Sequence, residues 1–358
     1  MSWSQIVGHA DRIDAFRSIV ARHRLAHAYL FVGPVGIGKR RFAIELAKAL
    51  LCERTITTDA RTLDACDTCA SCLLVDAGTH PDLFQVSRPE EKNEMPAEVM
   101  ANLCRNFSLK SARGHWKIGI VDDADDFNEE SANSFLKTLE EPPPGSLFIL
   151  LSTSLDRQLA TIKSRCQLVR FTPLNDEHVK QLLQQQGIDN PAMLARLVRL
   201  SAGSPGQALA LADEDLWAFR RRLLEAFAKP KVDSFALGKS FIEFVEDAGK
   251  ETAAQRRRAN QVLRLLIESL VDVLRVQAGA AARSAESAES ADLPLLASLA
   301  QRARAEKIQA LLERCLETEM HLGRYVQLSL VLEGLMDALG QLLDDAGPLP
   351  LRYQGFAV

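Results

Sequence analysis

No uninterrupted apolar run in these 358 residues is long enough to cross a bilayer, so no membrane partner is expected. The N-terminus MSWSQIVGHADR has no apolar segment behind a basic one, which argues against a secretory leader. Nor does one sign of charge dominate. With 43 Lys and Arg against 47 Asp and Glu the formal net charge is −4, so any contact with a polyanion must come from a local patch. Long-period repeats are absent, and strand-type patterns vanish after Pro173. These absences leave a cytoplasmic globular chain whose 47% hydrophobic residues can fill two or three cores. A further absence carries chemistry. Residues 33–39 read GPVGIGK, and where that pattern calls for Ser or Thr the chain has Arg40.

AYLFV (28–32) is a buried strand running straight into this loop, and Phe42, Leu46, Ala49 and Leu50 behind it keep helical spacing. LFQV (83–86), KIGIV (117–121) and LFILLS (147–152) are further β-type runs. Between the last two, Asn128 is an N-cap, Ala132, Phe135, Leu136 and Leu139 share a face, and Pro142–Pro144 stop the helix. Strands separated by helices imply a parallel α/β sheet. NDEHVKQLLQQQ and PAMLARLVRLSAG predict two or three short helices, and everything from about Asp213 onward is helical. Apolar stripes from Val262 to Leu274 and from Leu328 to Leu339 predict long amphipathic helices, bundle core first and partner interface second. Residues 278–294 between them are too poor in bulky apolar side chains to be a core element. The basic runs Arg220–Arg222 and Arg256–Arg258 read as solvated faces or intersubunit pairs before DNA contacts.

Gly33, Gly36 and Gly38 allow the loop to curl its N–H groups around phosphate oxygens, with Lys39 adding a cation and the following helix its dipole. ATP binding fits this loop. Efficient hydrolysis does not, because Mg²⁺ has lost its hydroxyl ligand to Arg40. KIGIVDDADD supplies the partner motif: Asp122 would hold a metal through water and Asp123 would orient an attacking water. Asp123 stands where Glu is usual, and a side chain one methylene short is poorly placed for a step limited by geometry. Ser152 and Thr153, at a strand end, could sense a γ-phosphate. Cys66, Cys69 and Cys72 form C-x-x-C-x-x-C, and Cys52 upstream would close a tetrahedral structural zinc site, with His80 and Cys104 as rivals for that fourth position. An iron–sulfur centre is the lesser alternative. Arg165 by spacing alone is a surface residue or an ion-pair partner.

GPVGIGK, IVDDAD, NSFLKTLEEPPPGSLFILLST and TIKSRC, in this order, resemble the AAA+ clamp-loader subunits of bacterial DNA polymerase III. The likeness is sharp over residues 5–212 and only architectural beyond. It implies three domains: an AAA+ P-loop domain over 1–172 with a zinc insertion at about 52–80, a helical lid over 173–213, and an all-α collar over 214–358. It also implies a hetero-pentamer with gamma/tau and delta subunits, acting on a sliding clamp and on primer–template DNA. Arg165, in Ser164-Arg165-Cys166, becomes an arginine finger offered in trans to a neighbour's ATP. The family's motor subunits carry GK[ST], a DE pair and an arginine where this chain has Gly206, and they continue past the collar while this chain stops at Val358. Those departures resemble the delta' branch, a subunit with little or no hydrolysis of its own. The competing readings are an active gamma/tau-type ATPase and a free-standing zinc-containing DNA-binding protein.

Overall fold

The computed structural model describes residues 2–54, 63–89, 91–279, 292–323 and 326–344. Most of the 278–294 segment lies outside the described residues, as does part of the cysteine insertion. The chain forms two compact units, Met1–Ile188 with Val198–Ala208, and Asp189–Leu197 with Leu209–Val358.

The first unit is built on five parallel strands: β1 (Ala28–Val32), β2 (Leu83–Val86), β3 (Lys117–Val121), β4 (Ser146–Ser152) and β5 (Gln167–Arg170), in the order β2-β3-β4-β1-β5. β1, β3 and β4 are buried at every position, which is why they read as continuous apolar runs. β5 was not expected from the sequence. It is an edge strand with three of its four residues exposed, so QLVR carries no apolar signature. Its helices are α1 (Ala10–Ala21), α2 (Lys39–Leu51), α3 (Ala70–Asp76), α4 (Ala97–Ser108), α5 (Glu129–Glu140), α6 (Ala160–Lys163) and α7 (Asp176–Gln185).

Local chemistry sets several boundaries. Asn128 caps α5 through the Ser131 N–H while Ser131 returns a bond to the Asn128 backbone, a reciprocal box. Buried Lys117 donates to the carbonyls of Asn106, Leu109 and Lys110, satisfying the C-terminal end of α4 with a cation. A cluster of Phe16, Tyr29, Phe31, Phe42 and Phe171 fills one core region. Phe107, Phe135, Phe148, Met100 and Leu103 fill another.

After α8 (Pro191–Ser201) and α9 (Pro205–Ala210) come the helices of the second unit: α10 (Glu214–Ala228), α11 (Ser234–Glu246), α12 (Thr252–Gln277), α13 (Leu293–Arg302), α14 (Ala305–Gly323) and α15 (Leu328–Asp344). The expected stripes are core: Val262, Leu265, Leu266, Leu270 and Val273 are buried, and so are Leu332, Leu335, Met336 and Leu339. The basic runs are solvated faces only in part: Arg221, Arg222 and Arg257 are exposed, as expected, whereas Arg220, Arg256 and Arg258 are partly or fully buried. Arg220 is buried, with Nη1 2.5 Å from Asp292 and Nε donating to Ser269 Oγ. That bond explains a serine inside an apolar stripe. Arg256 donates to the carbonyls of Leu322 and Val326, and Arg258 pairs with Asp213 at 3.5 Å. Arg220, Arg256 and Arg258 are thus engaged within the unit's own framework.

Removing Asp292 would take from buried Arg220 its bonded carboxylate, leaving Asp272 as the remaining acid that acts on it. Asp292→Ala is therefore expected to lower the unfolding free energy of the full chain by about 3 kcal/mol or more in a urea titration. A loss below about 1 kcal/mol would show that Arg220 finds water or another acid.

Candidate functional site

β1, β3 and β4 are neighbours and parallel, so their C-terminal ends bring three sequence motifs to one edge of the sheet. The glycine loop leaves β1, Asp122 and Asp123 follow β3, and Ser152 and Thr153 end β4. Together they line a cavity of about 390 Å³. It also includes Gly36, Gly38, Lys39, Arg40 and Asp125.

The three loop glycines serve different ends. Gly36 and Gly38 have φ of 76° and 102°, values that side chains disfavour, and Gly38 is the N-cap of α2. Gly33 is needed for close packing, since a Cβ there would lie 2.3 Å from the Phe171 carbonyl oxygen. The Lys39 ammonium is buried and donates to the carbonyls of Gly33 and Pro34, at 2.6 and 2.8 Å. Burial pulls its pKa down while Asp122 and Asp125 oppose the shift. The cation is thus held by its own loop.

Arg40 turns its guanidinium to Asp122, with Nη1 3.5 Å from Oδ2, and the other oxygen of Asp122 accepts the Asp123 N–H. Asp123 adopts left-handed backbone angles (φ 53°), and burial, then its neighbours Asp122 and Asp126, raise its pKa. Thr153 and Ser152 face inward to Asp125. The Thr153 hydroxyl and N–H each donate to Asp125 Oδ2 at 2.6 Å, and Ser152 and Gln158 donate to Oδ1. Burial opposes ionisation of Asp125, but these hydrogen bonds outweigh it and hold the carboxyl below its ordinary value. The residues present do not fit a magnesium site of the usual kind: the hydroxyl is missing, and a guanidinium stands against the expected metal carboxylate.

Sequence reasoning missed Asp125, although the run DDADD offered it. It also missed His9, for which no pattern existed. His9 is 2% exposed, stacks edge-on to Phe171 at 4.9 Å, and donates from Nε2 to the Ile37 carbonyl at 3.0 Å. Burial lowers its pKa and favours the neutral ring. The segment around Gly206 meets the loop directly. Gly206 N donates to the Gly36 carbonyl at 2.9 Å, and Ser204 Oγ donates to the Val35 carbonyl at 2.7 Å. A Cβ at Gly206 would lie 2.7 Å from Gly36 Cα, so with this contact in place no side chain fits there.

Arg165 follows α6 and is not among the residues that line this cavity. Its Nε donates to Glu140 Oε1 at 2.9 Å, Nη2 pairs with the same oxygen, and Nη1 donates to the Thr161 carbonyl. Thus the LEEPP and SRC segments, separated in sequence, meet through one ion pair.

Cys52, Cys66, Cys69 and Cys72 converge, with all four sulfurs within 4.8 Å of one another. Cys52 to Cys69 and Cys66 to Cys72 are each 4.0 Å. A tetrahedral thiolate site with metal–sulfur bonds of about 2.3 Å has sulfur–sulfur edges of about 3.8 Å, so this cluster could hold such a metal ion with little change. Backbone N–H groups of Cys66, Cys69 and Cys72 point at the sulfurs of Cys52, Cys66 and Cys69. Against the effect of burial, bonds from Thr68 and Cys69 bring the Cys66 thiol down to about 6. The rivals are otherwise engaged: His80 Nε2 lies 2.7 Å from Ser71 Oγ, and Cys104 donates to the Ser134 carbonyl.

Residues 8–175 match the family model described as "DNA polymerase III, delta subunit". The chain is 32% identical over 303 residues to DNA polymerase III subunit delta' of Escherichia coli strain K12, covering 83% of this chain and 84% of that one. This chain belongs to the delta' family of DNA polymerase III clamp-loader subunits. Subunit delta' of Bacillus subtilis strain 168 is 30% identical over 284 residues, covering 78% of this chain and 81% of that one. Subunit tau of E. coli K12 is 31% identical over 218 residues, but those span 60% of this chain and 33% of tau.

Cys69 both supplies a sulfur and caps α3. Cys69→Ser is expected to reduce bound thiophilic metal from about one equivalent per chain to near zero, as measured by elemental analysis after extensive dialysis. Full retention of the metal by this variant would exclude the four-sulfur site.

Proposed function

We propose that this chain is the non-motor member of a hetero-pentameric clamp loader, assembled with gamma/tau and delta subunits. That assembly opens a sliding clamp and places it on primer–template DNA in the cytoplasm, using ATP hydrolysed by its motor subunits. The observation that carries this reading is the Arg40–Asp122 ion pair, in which a covalently attached cation lies against the carboxylate that would serve a metal. The Gly206–Gly36 contact supports it, since an arginine has no room there. A nucleotide held by Gly33, Gly36, Gly38 and Lys39 would be a structural ligand, with no step routed through Mg²⁺, Asp122 or Asp123. Thr153, already bonded to Asp125, would be unavailable as a γ-phosphate sensor.

Arg165 would act on the neighbour's phosphates, and Glu140 is its resting partner. The side chains of this pair are 32% and 50% exposed, so the pairing is worth about 1 kcal/mol or less and releasing the guanidinium costs little. The four cysteines would hold a structural Zn²⁺ that fixes the insertion. The chain would divide functionally into the P-loop domain (1–172), the lid (173–213) and the collar (214–358).

Two measurements test this. Nucleotide titrated into the isolated chain should bind with an affinity that barely changes on adding Mg²⁺, and Arg40→Thr should introduce metal dependence. Strong Mg²⁺ dependence in the unaltered chain would count against it. In a reconstituted complex, Arg165→Ala should lower DNA-stimulated ATP turnover at one site by about 10³-fold, while Lys39→Ala leaves the rate unchanged. Brisk turnover by the lone chain, abolished by Lys39→Ala, would instead make it a motor.

A further inference from the structure

The outer edge of β5 carries features that neither the phosphate loop nor the cysteine cluster explains. Among the described residues no strand pairs with that edge. Phe171 N donates to the Val32 carbonyl, so strand alternation turns the main-chain groups of Gln167 and Val169 toward β1 and those of Leu168 and Arg170 outward. Arg12 Nε occupies the Arg170 carbonyl at 3.0 Å, while the main-chain groups of Leu168 have no partner among the described residues. Beside this edge runs a groove of about 460 Å³ between β5 and α1. Ile19, Tyr29 and Val169 contribute apolar surface to it, and Leu168 is 41% exposed. Arg12, Arg24 and Arg170 ring it, and no acid lines it. The side chains of Arg24 and Arg170 are exposed and have no carboxylate partner among the described residues.

We propose that this groove binds an extended acidic segment of a partner protein, which adds to β5 as a further strand. Three needs converge on that occupant: main-chain groups awaiting a peptide, an apolar floor awaiting alternate side chains, and arginines awaiting carboxylates. A nucleic-acid backbone would satisfy the arginines alone. A second copy of β5 is disfavoured because pairing would bring arginines against arginines. An acidic strand meets all three.

Fluorescein-labelled dodecapeptides titrated against the full chain by anisotropy test this. The probes alternate Val with Glu, alternate Val with Lys, or repeat the Val–Glu sequence with alternate backbone amides N-methylated; a single-stranded oligothymidylate of equal length completes the set. The Val–Glu peptide should bind saturably and the Val–Lys peptide should not. R24E/R170E, L168D and N-methylation should each weaken Val–Glu binding by about tenfold or more. The altered side chains are exposed, and unchanged thermal unfolding midpoints will establish that the variants fold. Absence of Val–Glu binding overturns the proposal, and so does binding indifferent to N-methylation. Tighter binding of the oligothymidylate, lost in R24E/R170E, would make the groove a nucleic-acid surface instead.

Discussion

Gly206 meets the phosphate loop with bare backbone, its N–H on the Gly36 carbonyl and its Cα too near Gly36 for any side chain to intervene. Much else around the loop is consistent with that approach. Ser204 ties the same segment to Val35, and the Gly203 carbonyl accepts the Leu174 N–H, so residues 203–206 are fastened both to the loop and to the chain leaving β5. Gly36 adopts a positive φ at the contact, and Lys39 folds inward onto the carbonyls of Gly33 and Pro34. Two glycines are required because backbone can approach backbone this closely only where neither residue carries a Cβ.

Three of the carboxylates around the cavity find partners within the chain. Four aspartates follow β3 in the space of five residues, which would be costly if they were unpaired in a partly buried site. Asp122 has Arg40; Asp126 has Arg88 at 2.8 Å and Arg157 at 3.2 Å; Asp125 has four donors from Ser152, Thr153 and Gln158. Burial, then the neighbouring Asp122 and Asp126 carboxylates, raise the pKa of Asp123.

The fold was legible where physics is local. Buried parallel strands read as apolar runs, Asn128 and the prolines bounded α5, and the stripes from Val262 and Leu328 marked helix faces that are now core. β5 was not legible, because an exposed edge strand needs no apolar run. The arginine runs were legible only in part, because a buried Arg220 looks the same in sequence as the solvated Arg221 and Arg222 beside it. Its partners Asp292 and Ser269, 72 and 49 residues away, distinguish the two.

The candidate sites divide along the same line. The sequence by itself determined which chemistry was on offer: a glycine loop without its hydroxyl, an aspartate pair without its glutamate, four cysteines at ligand spacing, and an arginine in an SRC tripeptide. Those are facts of residue type and short spacing. Tertiary structure decided how the groups are spent, with Arg40 on Asp122, Thr153 on Asp125, Arg165 on Glu140, His80 on Ser71, and Gly206 against Gly36. Except for His80 and Ser71, each of these partnerships joins segments far apart in the sequence. Hydrogen bonds and close contacts depend on a few ångströms in space, which separation along the chain does not encode.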